Sequence, residues 1–174
     1  SLRALIHPAG LPPGDHAPCH AHPAYDDLIQ GAAGIPALFL MAGATDPRYV
    51  PTAIGDRTVG LHAVNAILGA LYHKQRTGEG QTIDVPMFET MASMVLGDHI
   101  GGASFVPRDG ALGYPRLIAP HRRPYATKDG YVCALIYNDK QWRSFFRLLG
   151  REEELDRDPR FANMDSRTRH INEL

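Results

Sequence analysis

Between positions 57 and 74 the apolar residues gather on one helical face: Leu61, Val64, Leu68 and Leu71 recur at spacings of three and four, and Ile67 widens the stripe. That is the pattern of a helix with one buried side. Basic residues and Gly78 close it, as a helix C-terminus requires. The period returns at about 87–99, where Phe88, Met91 and Val95 share a side with Ile100 and Gly101-Gly102 stop the run. Pro86 suits the first turn of that second helix. A third face carries Trp142, Phe145, Phe146 and Leu149, with Asn138 or Asp139 as its cap and Gly150 as its end. Positions 25–33 fit a shorter helix, which Gly34-Ile35-Pro36 ends before a brief apolar run at 38–41. Short strands are predicted at 2–7 and 81–85, and a buried one at 131–137. Positions 8–23 and 104–121 are dense in Gly and Pro without an apolar period, so they read as loop. The stretch 157–163 is polar and turn-like, and Ser166 is placed to open a last helix. The alternation of helices and strands predicts an α/β chain.

Composition changes this picture little. Of 174 residues, 44% are hydrophobic and 21% charged, ordinary values for a globular chain. A net charge of −1 gives no electrostatic case for nucleic acid or an anionic membrane as partner. Neither an apolar run of membrane-spanning length nor a basic-plus-apolar leader is evident, which points to a cytoplasmic enzyme. Cys19 and Cys133 form no CxxC and are most simply reduced thiols. His16, Cys19, His20 and His22 cluster in the first loop but lack the separated ligand pairs of a structural zinc module, so no metal is predicted. His62 and His73 fall on the 57–74 helix and read as surface or core residues rather than bases.

Chemistry concentrates at Asp56. It lies at or beside the N-cap of the 57–74 helix, where backbone N–H groups and the positive end of the helix dipole meet a carboxylate and fix its direction. Taken alone this describes a helix cap as well as it describes a nucleophile. The surrounding order of residues separates the two. Gly55-Asp56 with Gly60, the helix containing Ala66-Ile67-Leu68-Gly69-Ala70-Leu71, the turn Arg76-Thr77-Gly78-x-Gly80-Gln81, the strand Ile83-Asp84-Val85 and then Phe88-Glu89 follow one another at fixed spacing. In that order they resemble the class III CoA-transferases, the family of formyl-CoA:oxalate and carnitine CoA-transferases to which the α-methylacyl-CoA racemases are related. Pro23-Ala24-Tyr25-Asp26 upstream, with Arg123-Pro124-Tyr125, Asp129-Gly130-Tyr131, Asn138-Asp139-x-Gln141-Trp142 and Asp158-Pro159-Arg160-Phe161 downstream, extend the likeness over most of the chain. Only the first 22 or so residues fit it poorly.

The resemblance implies a chain more than twice this long, built on a Rossmann-like CoA-binding large domain and a small α/β domain, with two chains interlocked as a homodimer. On that pattern 1–100 are part of the large domain with its active-site segment, 101–122 a linker and 123–174 part of the small domain, where composition alone suggests one domain. The implied reaction moves coenzyme A from an acyl-CoA to a small carboxylic acid through a covalent aspartyl intermediate. Asp56 is the position carried over as nucleophile, CoA is a substrate, and no cofactor is held permanently. Gly101 and Gly102, with 109–113, are candidates for the family's glycine-rich loop that shields the intermediate, or are plain linker glycines. Racemases have a histidine where Tyr25 stands, and a phenol with an ordinary pKa near 10 is a poor base at neutral pH. Tyr25 therefore lines the site in a transferase, or is a half-buried packing aromatic. Racemisation and a catalytically incomplete chain are the alternatives. Asp26 either orients Tyr25 or caps the 25–33 helix, and Lys74 and Arg76 either meet CoA phosphate or complement the helix end.

Overall fold

The computed structural model describes residues 3–7, 24–171 and 173. The chain falls into two compact units, Ser1–Ala119 and Pro120–Leu174.

In the first unit, strand β1 (Arg3–His7) runs parallel to β2 (Thr82–Pro86), with Arg3 opposite Thr82 and His7 opposite Pro86. Parallel neighbours need a crossover connection. Helices α1 (Asp26–Ala32), α2 (Ile35–Met41) and α3 (Ile54–Thr77) supply it, and α4 (Met87–His99) follows β2 directly. Ile29, Ile35, Val59, Ala63, Val85, Met87 and Met91 form the core, with Phe88 and Val95 packed against it. Met91 is fully enclosed. Ile100, expected to share that face, lies just beyond the end of α4 and is exposed.

The 24-residue helix α3 buries a different stripe from the one its large apolar residues predict. Gly55, Val59, Ala63 and Ala70 turn inward, while Leu61, Val64, Leu68 and Leu71 are exposed. The reason is proximity. α3 packs against α1, β2 and α4 at once, and only small side chains let backbones approach closely on three sides. Helix α2 is a second departure from expectation. Pro36, read as a terminator, occupies the first turn of this helix, where its missing N–H costs no hydrogen bond.

The second unit holds a two-residue ladder, β3 (Tyr125–Ala126) antiparallel to β4 (Tyr131–Val132), closed by the Thr127 N–H donating to the Gly130 carbonyl at 2.8 Å. The buried strand expected over 131–137 is therefore short and exposed. Beyond Val132 no pairing continues among the described residues, and Leu135 faces solvent. Helix α5 (Asp139–Leu148) is capped by Asn138, whose side chain accepts the Gln141 N–H while the Gln141 side chain accepts the Asn138 N–H. This capping box assigns the cap to Asn138. Asp139 instead pairs with the buried Arg167. Trp142, Phe146 and Phe161 pack ring to ring, with centroids 5.4 Å apart for Trp142–Phe161 and 4.9 Å for Phe146–Phe161. Helix α6 (Glu152–Arg157) adds the buried Leu155. Helix α7 (Met164–His170) starts before Ser166: Asn163 caps it by accepting the Ser166 N–H, and the Ser166 hydroxyl donates to the Pro159 carbonyl.

Candidate active site

A helix N-terminus leaves its first N–H groups without intrahelical partners. In α3 the Ile54 N–H donates to the Thr52 carbonyl at 2.7 Å and the Arg57 N–H to the Ala53 carbonyl at 3.2 Å. The Asp56 N–H donates to Asp26 Oδ1 at 3.0 Å. Asp56 is thus the third residue of α3 rather than its N-cap, which is Ala53 and has no capping side chain. The carboxylate that caps this helix belongs to Asp26, 30 residues earlier in the chain. Of the two roles the sequence offers Asp26, orienting Tyr25 or capping the 25–33 helix, the second is not seen: its side chain makes no cap hydrogen bond in α1 and accepts instead from Gln30 and the Asp56 N–H. Freed from capping, the Asp56 side chain is exposed on the first turn of α3, at the positive end of the helix dipole.

Two neighbours hold Asp26 in place. Its Oδ2 accepts from Gln30 Nε2 at 2.6 Å, and Gln30 Oε1 accepts the Val50 N–H at 2.8 Å. Gln30 has 0% exposure, so both ends of a buried amide are matched. Gly55 makes room: a Cβ there would stand 2.9 Å from Asp26 Oδ1. The glycine before Asp56 is needed for close approach of a carboxylate to the helix start. Because the Asp56 amide is already engaged by Asp26, it is not free to donate to an oxyanion.

Tyr25 precedes Asp26 as the N-cap of α1, its carbonyl accepting the Ile29 N–H at 3.0 Å. Tyr25 is 70% exposed within this chain. Gly101 and Gly102 open a short 3₁₀ turn, Gly101–Ser104, after α4. A Cβ on Gly102 would fall 1.6 Å from the Asp109 carbonyl oxygen, and one on Gly101 2.8 Å from that of Ala111. Both glycines exist here to let 109–113 fold back on 101–102, and their nearest neighbours lie in that segment rather than at Asp56. The two glycine-bearing stretches read from the sequence are thereby brought together. His99 ties the fold-back to α4, its carbonyl accepting the Gly113 N–H at 2.8 Å and its Nδ1 the Tyr114 N–H at 3.1 Å.

The remaining candidates are placed as follows. Lys74 and Arg76 lie in the exposed last turn of α3, and Arg76 stacks on Tyr72 with 5.7 Å from Cζ to the ring centroid. His62 bonds locally to the Thr58 carbonyl at 3.0 Å. His16, Cys19, His20 and His22 lie outside the described residues, and among the described residues no group of three His, Cys, Asp or Glu could hold a metal ion. Sequence reasoning did not single out Gln30. Its signal was there in the i, i+4 relation of Asp26 and Gln30 on one helical face.

Known proteins give this geometry a setting. CoA-transferase family III matches residues 13–174. The succinate–glutarate CoA-transferase of Agrobacterium fabrum is 29% identical over 151 residues, 84% of this chain and 36% of its own length. The (R)-2-hydroxy-4-methylpentanoate CoA-transferase of Clostridioides difficile is 29% identical over 167 residues, 92% of this chain and 40% of its own. A crystal structure of a CaiB/BaiF family protein from Brucella suis superposes with a TM-score of 0.69 at 27% identity, covering 99% of this chain and 44% of that one. The chain thus spans about two-fifths of the length of these relatives. With the family matched from residue 13 to the last residue and its fold reproduced, the chain belongs to CoA-transferase family III.

Proposed function

We propose that this protein transfers coenzyme A from an acyl-CoA donor to a small carboxylic acid, with Asp56 as the covalent nucleophile. One observation carries the reading: in a chain of this family, an exposed carboxylate stands on the first turn of α3 with its backbone pinned by Asp26. A carboxylate exchanges CoA between acids without any net proton transfer. The Asp56 oxygen attacks the donor thioester carbonyl, and CoA leaves as thiolate, giving a mixed anhydride. The thiolate attacks the aspartyl carbonyl, forming an enzyme thioester and releasing the donor's carboxylate. The acceptor carboxylate attacks that thioester and expels the thiolate, leaving a second mixed anhydride. The thiolate then attacks the acceptor's carbonyl, which yields the new acyl-CoA and frees Asp56.

Tyr25 lines the site in this reading, next in sequence to the residue that caps α3. To the turn in which Gly101 and Gly102 pack on 109–113 we assign, from the family resemblance alone, the shielding of the anhydride and thioester from water. The intact protein works in the cytoplasm as an interlocked homodimer with acyl-CoA and a small acid as its partners. No helix among the described residues is long and apolar enough to cross a membrane.

The test is Asp56→Asn in the intact protein, assayed with succinyl-CoA and a panel of short mono- and dicarboxylic acids. The Asp26 contact is to the Asp56 backbone, so this substitution leaves it in place. Transfer is expected to fall by several orders of magnitude, as when other covalent nucleophiles are removed. Retained transfer by the variant would contradict the proposal. So would α-deuterium exchange into a 2-methylacyl-CoA without transfer, the mark of a racemase.

A further inference from the structure

We infer that Gln30 is a positioning residue for Asp56, acting through Asp26; the inference rests on the reading of Asp56 as nucleophile. Gln30 is fully buried beside the core residue Ile29, where an apolar side chain of the same size would fill the space without the cost of burying an amide. Both of its ends are used. Nε2 donates to Asp26 Oδ2 at 2.6 Å, and Oε1 accepts the Val50 N–H at 2.8 Å. The first contact sets the rotation of the Asp26 carboxylate, so that Oδ1 is turned to the Asp56 N–H at 3.0 Å. The second holds the segment that enters α3, four residues before its first residue, Ile54. One amide therefore locates the start of α3 at two points. Gly55 keeps the path open, since a Cβ there would stand 2.9 Å from Asp26 Oδ1. An attacking oxygen must be held close to its productive place, and a displacement of ~1 Å can cost about a hundredfold in rate.

The polarity of the chain of bonds supplies the test. In the intact protein, Gln30→Met keeps the volume and removes both polar ends. Gln30→Glu keeps the acceptor for Val50 but sets a second carboxylate against Asp26. Asp26→Asn combined with Gln30→Glu reverses that bond: the new amide donates to the new carboxylate, while its own oxygen still faces the Asp56 N–H. Both single variants are expected to lower kcat by about ten- to a hundredfold with KM changed by less than about threefold. Hydrogen exchange at 54–57 should speed up with the loss of the cap. The double variant should recover most of the kcat lost in Gln30→Glu and slow that exchange again. A Gln30→Met protein with unchanged kcat and exchange would overturn the inference. So would a double variant no better than Gln30→Glu in both readouts. The exchange measurement reports the Gln30–Asp26–Asp56 connection whatever the chemistry, whereas transfer by Asp56→Asn reports on the nucleophile alone, so the two failures are distinguishable.

Discussion

At the residue scale, the start of α3 is capped by the carboxylate of Asp26 and not by that of Asp56, the proposed nucleophile. Asp56 is legible in the sequence because Gly55-Asp56 opens a long amphipathic pattern, but the cap that frees its side chain comes from 30 residues away. Spacing rules read neighbours three and four apart, so they pair Asp26 with Gln30 and are blind to Asp26 with Asp56. Gly55→Ala tests the arrangement. An alanine in a helix gains about 1 kcal/mol over glycine, and loss of a side-chain cap costs about the same. The expected result is a thermal midpoint almost unchanged with transfer reduced about tenfold, because the new Cβ displaces Asp26 Oδ1. Unchanged transfer in a folded variant would show that the Asp26 contact is dispensable.

At the element scale, the existence and type of α3, β2, α4 and α5 follow from hydrophobic period and end signals, while the buried face of α3 does not. Periodicity ranks faces by size of apolar side chain, and here close packing on α1, β2 and α4 selected the stripe of Val59, Ala63 and Ala70 over that of the leucines. Helix α2 escaped because Pro36 signals a stop and a first turn equally well. In the second unit, Asp158 caps the 3₁₀ turn Pro159–Phe161 and makes a forked pair with Arg160, with contacts of 3.0 Å to Nε and 2.6 Å to Nη2. Hydrogen bonds from the Arg160 guanidinium, and then from its backbone N–H, hold the Asp158 carboxyl below the usual carboxylate range. Arg151 does the same for Glu154 through its side-chain hydrogen bond. A group whose folded pKa is depressed contributes stability that is complete above its unfolded value, near 3.9 for Asp, and is lost as pH falls through the folded value. Trp142, the one tryptophan in the chain, packs on Phe161 and reports this region by fluorescence. Its thermal transition should move down as pH is lowered from about 5 to about 3. Asp158→Asn should flatten that dependence, and an equally steep fall in the variant would remove Asp158 from the account.

At the scale of the whole molecule, Leu61, Val64, Leu68, Leu71 and Tyr72 leave one side of α3 apolar and open, with exposures from 45% to 67%. Contiguous apolar surface of this kind drives association. The 174-residue chain is expected to self-associate in light scattering at micromolar concentration, and Leu68→Lys to weaken that association. A monomer insensitive to the substitution would show that the face is stable in water as it stands. The central claim is that Asp56 carries the acyl group and then CoA. Its most direct test is the intact mass of the whole protein after mixing with succinyl-CoA, followed by hydroxylamine treatment and peptide mapping. The account predicts an acyl or CoA adduct that hydroxylamine converts to a hydroxamate at Asp56, absent from Asp56→Asn. An adduct on another residue, or transfer with no aspartyl adduct at all, would contradict it.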